Sequence, residues 1–496
     1  MRRAAVLALF LLSVSSAAAA LPRGTARSDT IVGTRSVDRI AARGGNDFVQ
    51  VAFGGADHVD CGAGNDVVSA DAGDKVAANC EIVSRRLSID PYVNSDSQHE
   101  TAVEPDDAAN GNTVVAAYQV GRREGGAAAN IGVSVSHDAG RTWTRSLLPG
   151  TTAVASPPGP EVGVSDPAVA WDAVHGVWLL SALAVERSFT HIYVARSTDG
   201  LRWSPPVNAA DGAVLDKEWI ACDNGAASPF YGRCYLEYTD DQANTTVSQY
   251  TTDGGQTWSA PTEAGAILVG TQPVIQPNGT LVVVAGDYPN EAALTGTMIG
   301  LRSSDGGKTF VRYPVAQFRS SDNAPMRAIS LPSVTADSNG TLYATWADCR
   351  FRSSCSQNDL VLSTSTDGMT WTAPTRVTSG ADAFVPGLAS DPEHPGRLAV
   401  VYAHFYGTCS KPPCVLGIDV VQSRDGGKSW SAPQRLDAQP FSTNWLPRAE
   451  GGRMVGDYFS TAFAGNRVVP VFALATSPIG ARLREGIFAP SLRALG

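Results

Sequence analysis

The chain has 496 residues, of which 43% are hydrophobic, and a formal net charge of −10. This length exceeds one ordinary hydrophobic core and suits an array of repeats with a small additional module. The negative charge argues against nucleic acid and against an anionic membrane surface as partners.

Residues 1–20 have the pattern of a secretory signal. Arg2 and Arg3 precede an apolar run, and the small residues Ala17–Ala20 follow it, which is typical of a cleaved signal peptide. An uncleaved anchor is the weaker alternative because the run is too short to span a bilayer. We therefore expect a secreted protein without membrane insertion. Residues 21–37 are polar and rich in Gly, Ser and Thr, which predicts a linker.

Residues 38–86 contain a short repeat of the form Gly-(x)-Asp-x-Val, spaced 10, 9 and 8 residues apart. This repeat resembles the glycine-rich nonapeptides of haemolysin-type calcium-binding proteins. The resemblance implies a short β-solenoid module that binds Ca²⁺ through turn aspartates. The aspartates concerned are Asp47, Asp57, Asp66 and Asp74. The alternative is a metal-free solenoid closed by a disulfide.

The eight cysteines fall into local pairs, as expected for a chain that folds in an oxidising compartment. The disulfides predicted by proximity along the chain are Cys61–Cys80, Cys222–Cys234, Cys349–Cys355 and Cys409–Cys414. Other connectivities stay open, because sequence alone does not determine pairing. A zinc site is disfavoured, since neither Cys-x-x-Cys nor a histidine cluster accompanies the cysteines.

One motif, Ser/Thr-x-Asp-x-Gly-x-x-aromatic, recurs six times in the rest of the chain. Its aspartates are Asp138, Asp199, Asp253, Asp305, Asp367 and Asp425, which lie 61, 54, 52, 62 and 58 residues apart. Near-constant spacing predicts repeated supersecondary units, and the intervening segments have strand patterns without a helical period. The hydroxyl and the carboxylate can bond backbone groups of a tight turn, so we expect a structural role for this motif.

Seven apolar strand pairs accompany the six motifs. The seventh pair, Tyr458–Ala464 with Arg467–Ala473, has no motif after it, and we expect Arg86–Tyr92 to supply its outer strand. Sheets of this kind protect their edges when they are arranged radially. The predicted fold class is therefore all-β, with an Asp-box β-propeller over residues 87–496. Seven blades are favoured, and six blades with a C-terminal cap are the alternative.

The repeated motif is similar to the Asp box of the sialidase (neuraminidase) superfamily, which residues 95–496 resemble. That family uses arginines to bind a substrate carboxylate, a Tyr–Glu nucleophile pair and an aspartate acid/base. By position, the resemblance implies Tyr458, Glu218 and Asp166 for the catalytic roles. The arginines expected to bind substrate are Arg233 and Arg350 by resemblance, with Arg122 and Arg187 as strand-end residues at the same channel mouth.

The chain departs from that family before the first Asp box, where Gln98–Glu100 stands in place of an Arg-Ile-Pro motif. Two functions therefore stay open. The first is a secreted sialidase-like glycoside hydrolase acting on terminal sugars of glycoconjugates, with exo-α-sialidase as its narrowest form. The second is a non-catalytic, monomeric propeller that binds a surface glycan or protein.

A third possibility is a cation in the channel, because clustered carboxylates are costly unless a proton or a metal neutralises them. Its ligands would be Glu100, Asp166, Glu218 and Asp457.

Overall fold

The structure, a computed structural model, describes residues 23–186, 189–290, 293–321, 326–407, 409 and 411–495. These residues form an all-β chain with two short 3-10 turns, Ser353–Cys355 and Thr443–Trp445. No helix among them is long and apolar enough to cross a membrane. The predicted signal segment, residues 1–20, lies outside the described residues.

Seven short strands form an N-terminal β-solenoid. They are β1 (Thr30–Val32), β2 (Arg39–Ala41), β3 (Phe48–Gln50), β4 (His58–Asp60), β5 (Val67–Ala70), β6 (Lys75–Val76) and β7 (Ile82–Arg86). Odd-numbered strands pair in one parallel sheet and even-numbered strands in a second. The repeat explains this, because its valines, such as Val49, Val59 and Val68, fill the space between the sheets.

The solenoid begins earlier than the sequence indicated. Strand β1 pairs in parallel with β3, and Arg23 forms a bridge with Ala41, so part of the segment predicted as a linker is a solenoid turn. Successive solenoid turns stack so closely that some positions have no room for a side chain, and glycine is needed at them. Gly45 has a φ of 107°, and a Cβ atom on it would lie 2.2 Å from the Arg27 carbonyl carbon.

Six antiparallel groups of consecutive strands, called sheets below, follow the solenoid, and the first two are joined by one residue pair, Ala128 with Val164. The first three are β8–β11 (Ala102–Asn110, Thr113–Arg122, Ala128–Ser136, Thr144–Leu147), β12–β15 (Gly163–Asp172, Val177–Val185, Thr190–Ser197, Val207–Gly212) and β16–β19 (Leu215–Cys222, Cys234–Asp240, Thr245–Thr251, Thr262–Ala266). The next three are β20–β23 (Val269–Ile275, Leu281–Asp287, Thr295–Ser303, Val311–Arg319), β24–β27 (Ser333–Ala336, Leu342–Asp348, Asp359–Ser365, Thr375–Arg376) and β28–β32 (Asp382–Ser390, Leu398–Phe405, Val415–Ser423, Gln434–Arg435, Phe441–Ser442).

The last sheet combines both ends of the chain. A small hairpin, β33 and β34 (Arg448–Ala449, Gly452–Arg453), precedes strands β35 to β38 (Ser460–Ala464, Arg467–Ala475, Glu485–Ala489, Leu492–Arg493). Strand β37 pairs with β7 of the solenoid, at Phe488 with Arg86. The outer strand therefore comes from the N-terminal side, as expected, and its contacts with β37 run from Arg85 to Leu87, so the predicted segment Arg86–Tyr92 contributes only at its start. The reason is that the final solenoid strand continues directly into the sheet.

The seven sheets in the described residues form a ring through their first strands. Strand β8 contacts β12, and the same kind of contact continues through β16, β20, β24, β28 and β35, which lies against β8 again. Five of these strands carry a β-bulge near their first residues, at Glu104, Asp166, Lys217, Gly270 and Val385, all with positive φ. Bulges re-aim side chains and are frequent beside functional sites. The end of the ring that carries them is called the bulge mouth below.

The repeated motif forms the turn between the third and fourth strands of a sheet. In the first copy, Ser136 Oγ donates to Asp138 Oδ1 (2.8 Å) and accepts from the Gly140 amide (2.9 Å). Asp138 Oδ1 also accepts from the Thr142 amide at 2.8 Å. All six copies repeat this serine or threonine bond to aspartate. The motif is thus a self-contained turn at the end opposite the bulge mouth.

All four predicted disulfides are present, as Cys61–Cys80, Cys222–Cys234, Cys349–Cys355 and Cys409–Cys414. The described residues contain no free cysteine. Each bridge closes a local loop or hairpin, which explains why proximity along the chain was enough to predict the pairing.

Candidate functional site

A small cavity opens at the bulge mouth, and it is called the Tyr458 cavity below. Its volume is about 20 Å³, which is room for about one water molecule. Its lining consists of Asp166, Lys217, Glu218, Trp219, Gly270, Gln272, Leu331, Pro332, Ser333, Pro386, Asp457, Tyr458 and Phe459. The structure therefore brings together the three residues that the sequence assigned to catalysis.

Tyr458 and Glu218 are almost fully buried, with exposed fractions of 8% and 1%. The Tyr458 hydroxyl and both Glu218 carboxyl oxygens make no hydrogen bond within the described part of the chain. Trp219 holds the Tyr458 ring edge-on, with ring centroids 4.9 Å apart. Buried polar groups without partners are costly in native proteins, and this pair is the one that combines such groups with the lining of the Tyr458 cavity.

Burial sets the protonation of this pair. It raises the pKa of Glu218 well above its ordinary value, and the neighbouring Asp166 raises it further. Burial likewise raises the pKa of Tyr458, with added contributions from Asp166, Glu104 and Glu218. Burial therefore favours the neutral form of both groups, and a carboxylate with a raised pKa is a stronger base toward the tyrosine proton.

Asp457 is the centre of an ion-pair network next to Tyr458. Lys217 Nζ lies 2.7 Å from Asp457 Oδ2, and Arg327 binds both oxygens, with Nε at 2.9 Å and Nη2 at 2.8 Å. Burial alone would raise the pKa of Asp457, but Lys217 and Arg327 outweigh it and hold the pKa below its usual range. A second carboxylate, Asp166, lies 3.9 Å from Lys217 Nζ.

A larger cavity of about 240 Å³ adjoins the first and shares Asp166 and Lys217 with it. It is called the Arg122 cavity below. Its other lining residues are Glu104, Arg122, Gly125, Gly126, Ala127, Ser165, Leu183, Val185, Asp216, Arg327 and Glu450. Burial raises the pKa of Glu104 to about 8, with help from Asp166 and Asp457. This cavity thus places two arginines, one lysine and a neutral carboxyl beside the Tyr458 cavity.

The predicted arginines separate in the structure. Arg122 lines the cavity, where its Nη1 donates to Gln119 Oε1 (3.1 Å) and its Nε has no partner within the described residues. Arg233 lies at the Asp-box end, stacked on Tyr250 at 3.9 Å, because its sheet ends there. Arg350 pairs with Asp348 at 2.6 Å and lines neither cavity. Arg187 lies outside the described residues.

Three residues of the site were missed by the predictions from sequence, namely Lys217, Arg327 and Glu104. Lys217 and Glu104 enter the site through bulge residues with φ of 53° and 52°, which no sequence pattern specifies. Arg327 lies on a long connection before β24. The one sequence feature that could have pointed to any of these three residues is that Lys217 directly precedes Glu218.

Of the four carboxylates proposed as a cation site, Asp166, Glu218 and Asp457 line the Tyr458 cavity, but Glu100 does not. Glu100 pairs with Arg482 at 3.0 Å on a different part of the surface. Asp457 is neutralised by Lys217 and Arg327 instead of a metal. No group of three or more His, Cys, Asp or Glu side chains arranged for a metal ion occurs among the described residues. Lys217 and Arg327 therefore neutralise the buried charge of Asp457, for which the sequence interpretation had proposed a metal ion.

The predicted calcium ligands of the solenoid bond to the backbone of neighbouring turns, and the described residues do not group them as a metal site. Each accepts a backbone N–H from a neighbouring turn through one oxygen, as Asp47 does from Asp29 (2.8 Å) and Asp66 does from Asp47 (2.7 Å). The other oxygens of Asp47, Asp57 and Asp66 are buried and have no partner in the described residues. Unpaired carboxylate oxygens are the ligands that Ca²⁺ prefers. Asp74 differs, because both of its oxygens accept backbone N–H groups.

Comparison with known families identifies the two repeats. The family model of the RTX calcium-binding nonapeptide repeat matches residues 23–54 and 54–74, and that of the BNR/Asp-box repeat matches residues 249–260. The chain therefore contains a BNR/Asp-box repeat and N-terminal RTX-type repeats, as its sequence indicated. No curated protein sequence matches it.

Three solved structures are similar to the chain at low identity. A protein of unknown function from Dyadobacter fermentans shares 15% identity and has a TM-score of 0.43, covering 67% of this chain and 95% of that one. The intramolecular trans-sialidase from Ruminococcus gnavus shares 14% identity with a TM-score of 0.45, covering 62% and 90%. A Hadza microbial sialidase shares 16% identity with a TM-score of 0.44, covering 80% and 66%.

Proposed function

We propose that this protein is a secreted, monomeric glycoside hydrolase of sialidase type that removes terminal sugars from glycoconjugates. The observation that carries the proposal is the buried Tyr458–Glu218 pair, which has no hydrogen-bond partner and lines one cavity with Asp166. Such a pair is expensive in a resting protein unless a ligand completes it. The four disulfides support secretion. The closed circuit of first strands supports a seven-bladed propeller.

In this proposal, Glu218 reacts as the ionised carboxylate, and the Tyr458 oxygen attacks the anomeric carbon while its proton passes to Glu218. Asp166 protonates the oxygen of the leaving group, and the bond between that oxygen and the anomeric carbon breaks. Asp166 then takes a proton from water, whose oxygen displaces Tyr458 from the sugar, and Glu218 returns its proton to the tyrosine. Configuration is retained, as in two-step glycosidases. Arg122 and Arg327 are the candidates to bind an anionic group of the sugar.

The test is hydrolysis of a panel of aryl-glycosides, including an aryl-sialoside, by the wild type and by Tyr458→Phe. Loss of the nucleophile should lower kcat by at least about a thousandfold. Tyr231→Phe, at an exposed tyrosine, is the matched control and should keep full activity. Wild-type hydrolysis that survives in Tyr458→Phe would refute the assignment of the nucleophile.

A specific observation favours the second candidate, a non-catalytic propeller that binds a glycan or protein. Asp457 engages both Lys217 and Arg327, so these cations are already neutralised, and the Tyr458 cavity has room for about one water. This function predicts glycan-array binding that Arg122→Ala weakens, with no turnover of any glycoside in the panel. Measured turnover would exclude it.

A further inference from the structure

A third cavity lies at the end of the ring opposite the bulge mouth, where the last sheet meets the first. It is open to solvent, has a volume of about 360 Å³ and is lined by Asn112, Ala139, Arg141, Ala464, Asn466, Arg467 and Arg493. We call it the seam cavity. Strand β35 connects the two ends, since it follows Tyr458 and leads to Asn466. The eight residues from Tyr458 to Asn466, at about 3.3 Å per residue in an extended strand, place the seam cavity about 26 Å from Tyr458.

The seam cavity carries three guanidinium groups and no carboxylate. Its lining contains neither Asp nor Glu, and none of its three arginines forms an ion pair within the described residues. At the bulge mouth, by contrast, the basic side chains are paired, because Lys217 and Arg327 both form ion pairs with Asp457. Three unpaired like charges in one cavity repel each other, and this occurs in a chain with a net charge of −10.

Backbone contacts hold two of these arginines in place. Arg141 Nη1 donates to the Asp138 carbonyl at 2.9 Å, and Arg467 Nη1 donates to the Ser491 carbonyl at 2.9 Å. Each bond orients its guanidinium group before any ligand arrives, which reduces the entropy cost of binding. Burial lowers the pKa of Arg467, and the charges of Arg141 and Arg493 lower it further. An anion in the cavity would relieve this repulsion.

We propose that the seam cavity binds a tetrahedral oxyanion, a sulfate or phosphate group. Guanidinium forks donate pairs of parallel hydrogen bonds to such oxygens, and arginine is the preferred residue for this recognition. The amides of Asn112 and Asn466, which also line the cavity, supply further donors. The cavity is large enough for the anion together with part of a molecule that bears it, so both a free ion and an ester on a longer chain fit this chemistry.

The experiment measures binding by calorimetry to the full-length protein with three probes: inorganic sulfate, chondroitin sulfate and hyaluronan, which bears only carboxylates. Arg467→Ala should weaken binding of the sulfate-bearing probe by about tenfold or more, because it removes charge-assisted hydrogen bonds. Arg202→Ala is the matched control. Arg202 stands next to an Asp box of the second sheet, and its side chain is 88% exposed and pairs with Asp199. This variant should bind like the wild type.

Tighter binding of chondroitin sulfate than of inorganic sulfate assigns the site to sulfated polymers, and the reverse order assigns it to free ions. No binding of either sulfate probe by the wild type overturns the proposal. Equal affinities of Arg467→Ala and Arg202→Ala overturn it as well, and so does tighter binding of hyaluronan than of chondroitin sulfate. Arg467→Lys and thermal melting of all variants separate loss of binding from loss of folding. Tyr458→Phe should bind sulfate normally, so the outcome is independent of the proposed hydrolase activity.

Discussion

At residue 457, one buried carboxylate holds two cations in place. Lys217 and Arg327 both contact Asp457, which is fully buried. Removing one member of a buried ion network is costly because the remaining charges keep their desolvation penalty without compensation. The backbone next to Tyr458 is held as well, since the Asp457 amide donates to Glu104 Oε1 at 3.2 Å.

The substitution Asp457→Asn should therefore lower the free energy of unfolding by about 3–5 kcal/mol. Urea unfolding of the full-length protein measures this. The matched control is Asp287→Asn, because Asp287 forms an ion pair with Arg312 on the surface, where both side chains are about 40% exposed. Such a pair contributes at most about 1 kcal/mol. Similar losses in the two variants would contradict the buried network.

Glu104 should give the protein a measurable pH dependence of stability. Its pKa in the folded state is raised to about 8, above its ordinary value of 4.5. Between these two values, the unfolded chain releases a proton that the folded chain keeps, so stability falls as pH rises from about 4.5 to about 8. Glu104→Gln should flatten this fall by up to about 1.4 kcal/mol per pH unit.

Unfolding free energies measured across this pH range test the prediction. Glu263→Gln, at an exposed carboxylate on β19, should keep the slope of the wild type. If the curves of Glu104→Gln and the wild type run parallel, Glu104 ionises normally in the folded protein.

At the scale of the elements, each Asp box is an independent turn. Asp253 accepts hydrogen bonds from the Gln256 amide (2.9 Å), from the Thr257 amide (3.0 Å) and from Thr251 Oγ1 (2.8 Å). Burial raises the pKa of Asp253, but the bonds from Thr257, Thr251 and Gln256 outweigh it and lower the pKa to about 2. Its stabilisation is therefore present above its unfolded pKa of about 4 and is lost as pH falls toward 2.

Asp253→Ala should cost about 1–3 kcal/mol of stability, because backbone donors lose their acceptor. Any glycosidase activity of the remaining folded protein should be unchanged, since the turn lies opposite the bulge mouth. Thermal melting and kcat of the same preparation test both statements, with Glu263→Ala as the control. A selective loss of kcat with normal melting would give this motif a direct role in the site.

At the scale of the whole molecule, the solenoid completes the ring. Besides the pairing of β7 with β37, Ser84 Oγ donates to the Leu436 carbonyl at 2.8 Å, and the Ala438 amide donates to Ser69 Oγ at 3.1 Å. Arg435 stacks on Phe48 at 4.1 Å. The two modules thus share a sheet and a packed interface, so the order of the solenoid affects the last sheet.

Calcium removal should therefore loosen the ring as well as the solenoid. Chelation is expected to lower Tm by a few degrees, because a ligand that binds only the folded state stabilises it by mass action. Hydrogen exchange at Glu485–Ala489, the strand that pairs with the solenoid, should speed up too, and added Ca²⁺ should restore both. Asp66→Asn is the control that should not respond to Ca²⁺. If exchange at this strand is insensitive to chelation, the modules are uncoupled or Ca²⁺ does not bind.

The repeats, the strand segments and the disulfides followed from the sequence alone, because each depends on residues that are close along the chain. A turn such as Ser136–Trp143 satisfies its own hydrogen bonds, and the valines of the solenoid repeat every turn. Part of the composition of the bulge mouth could also be predicted from the sequence, since Asp166, Glu218 and Tyr458 all lie near the beginning of the first strand of a sheet. The tertiary structure decided the rest. Positive φ at Glu104 and Lys217, the reach of Arg327 to Asp457 and the gathering of three arginines at the seam depend on contacts between residues up to hundreds of positions apart. Such contacts form only when the ring closes, and no local pattern encodes them.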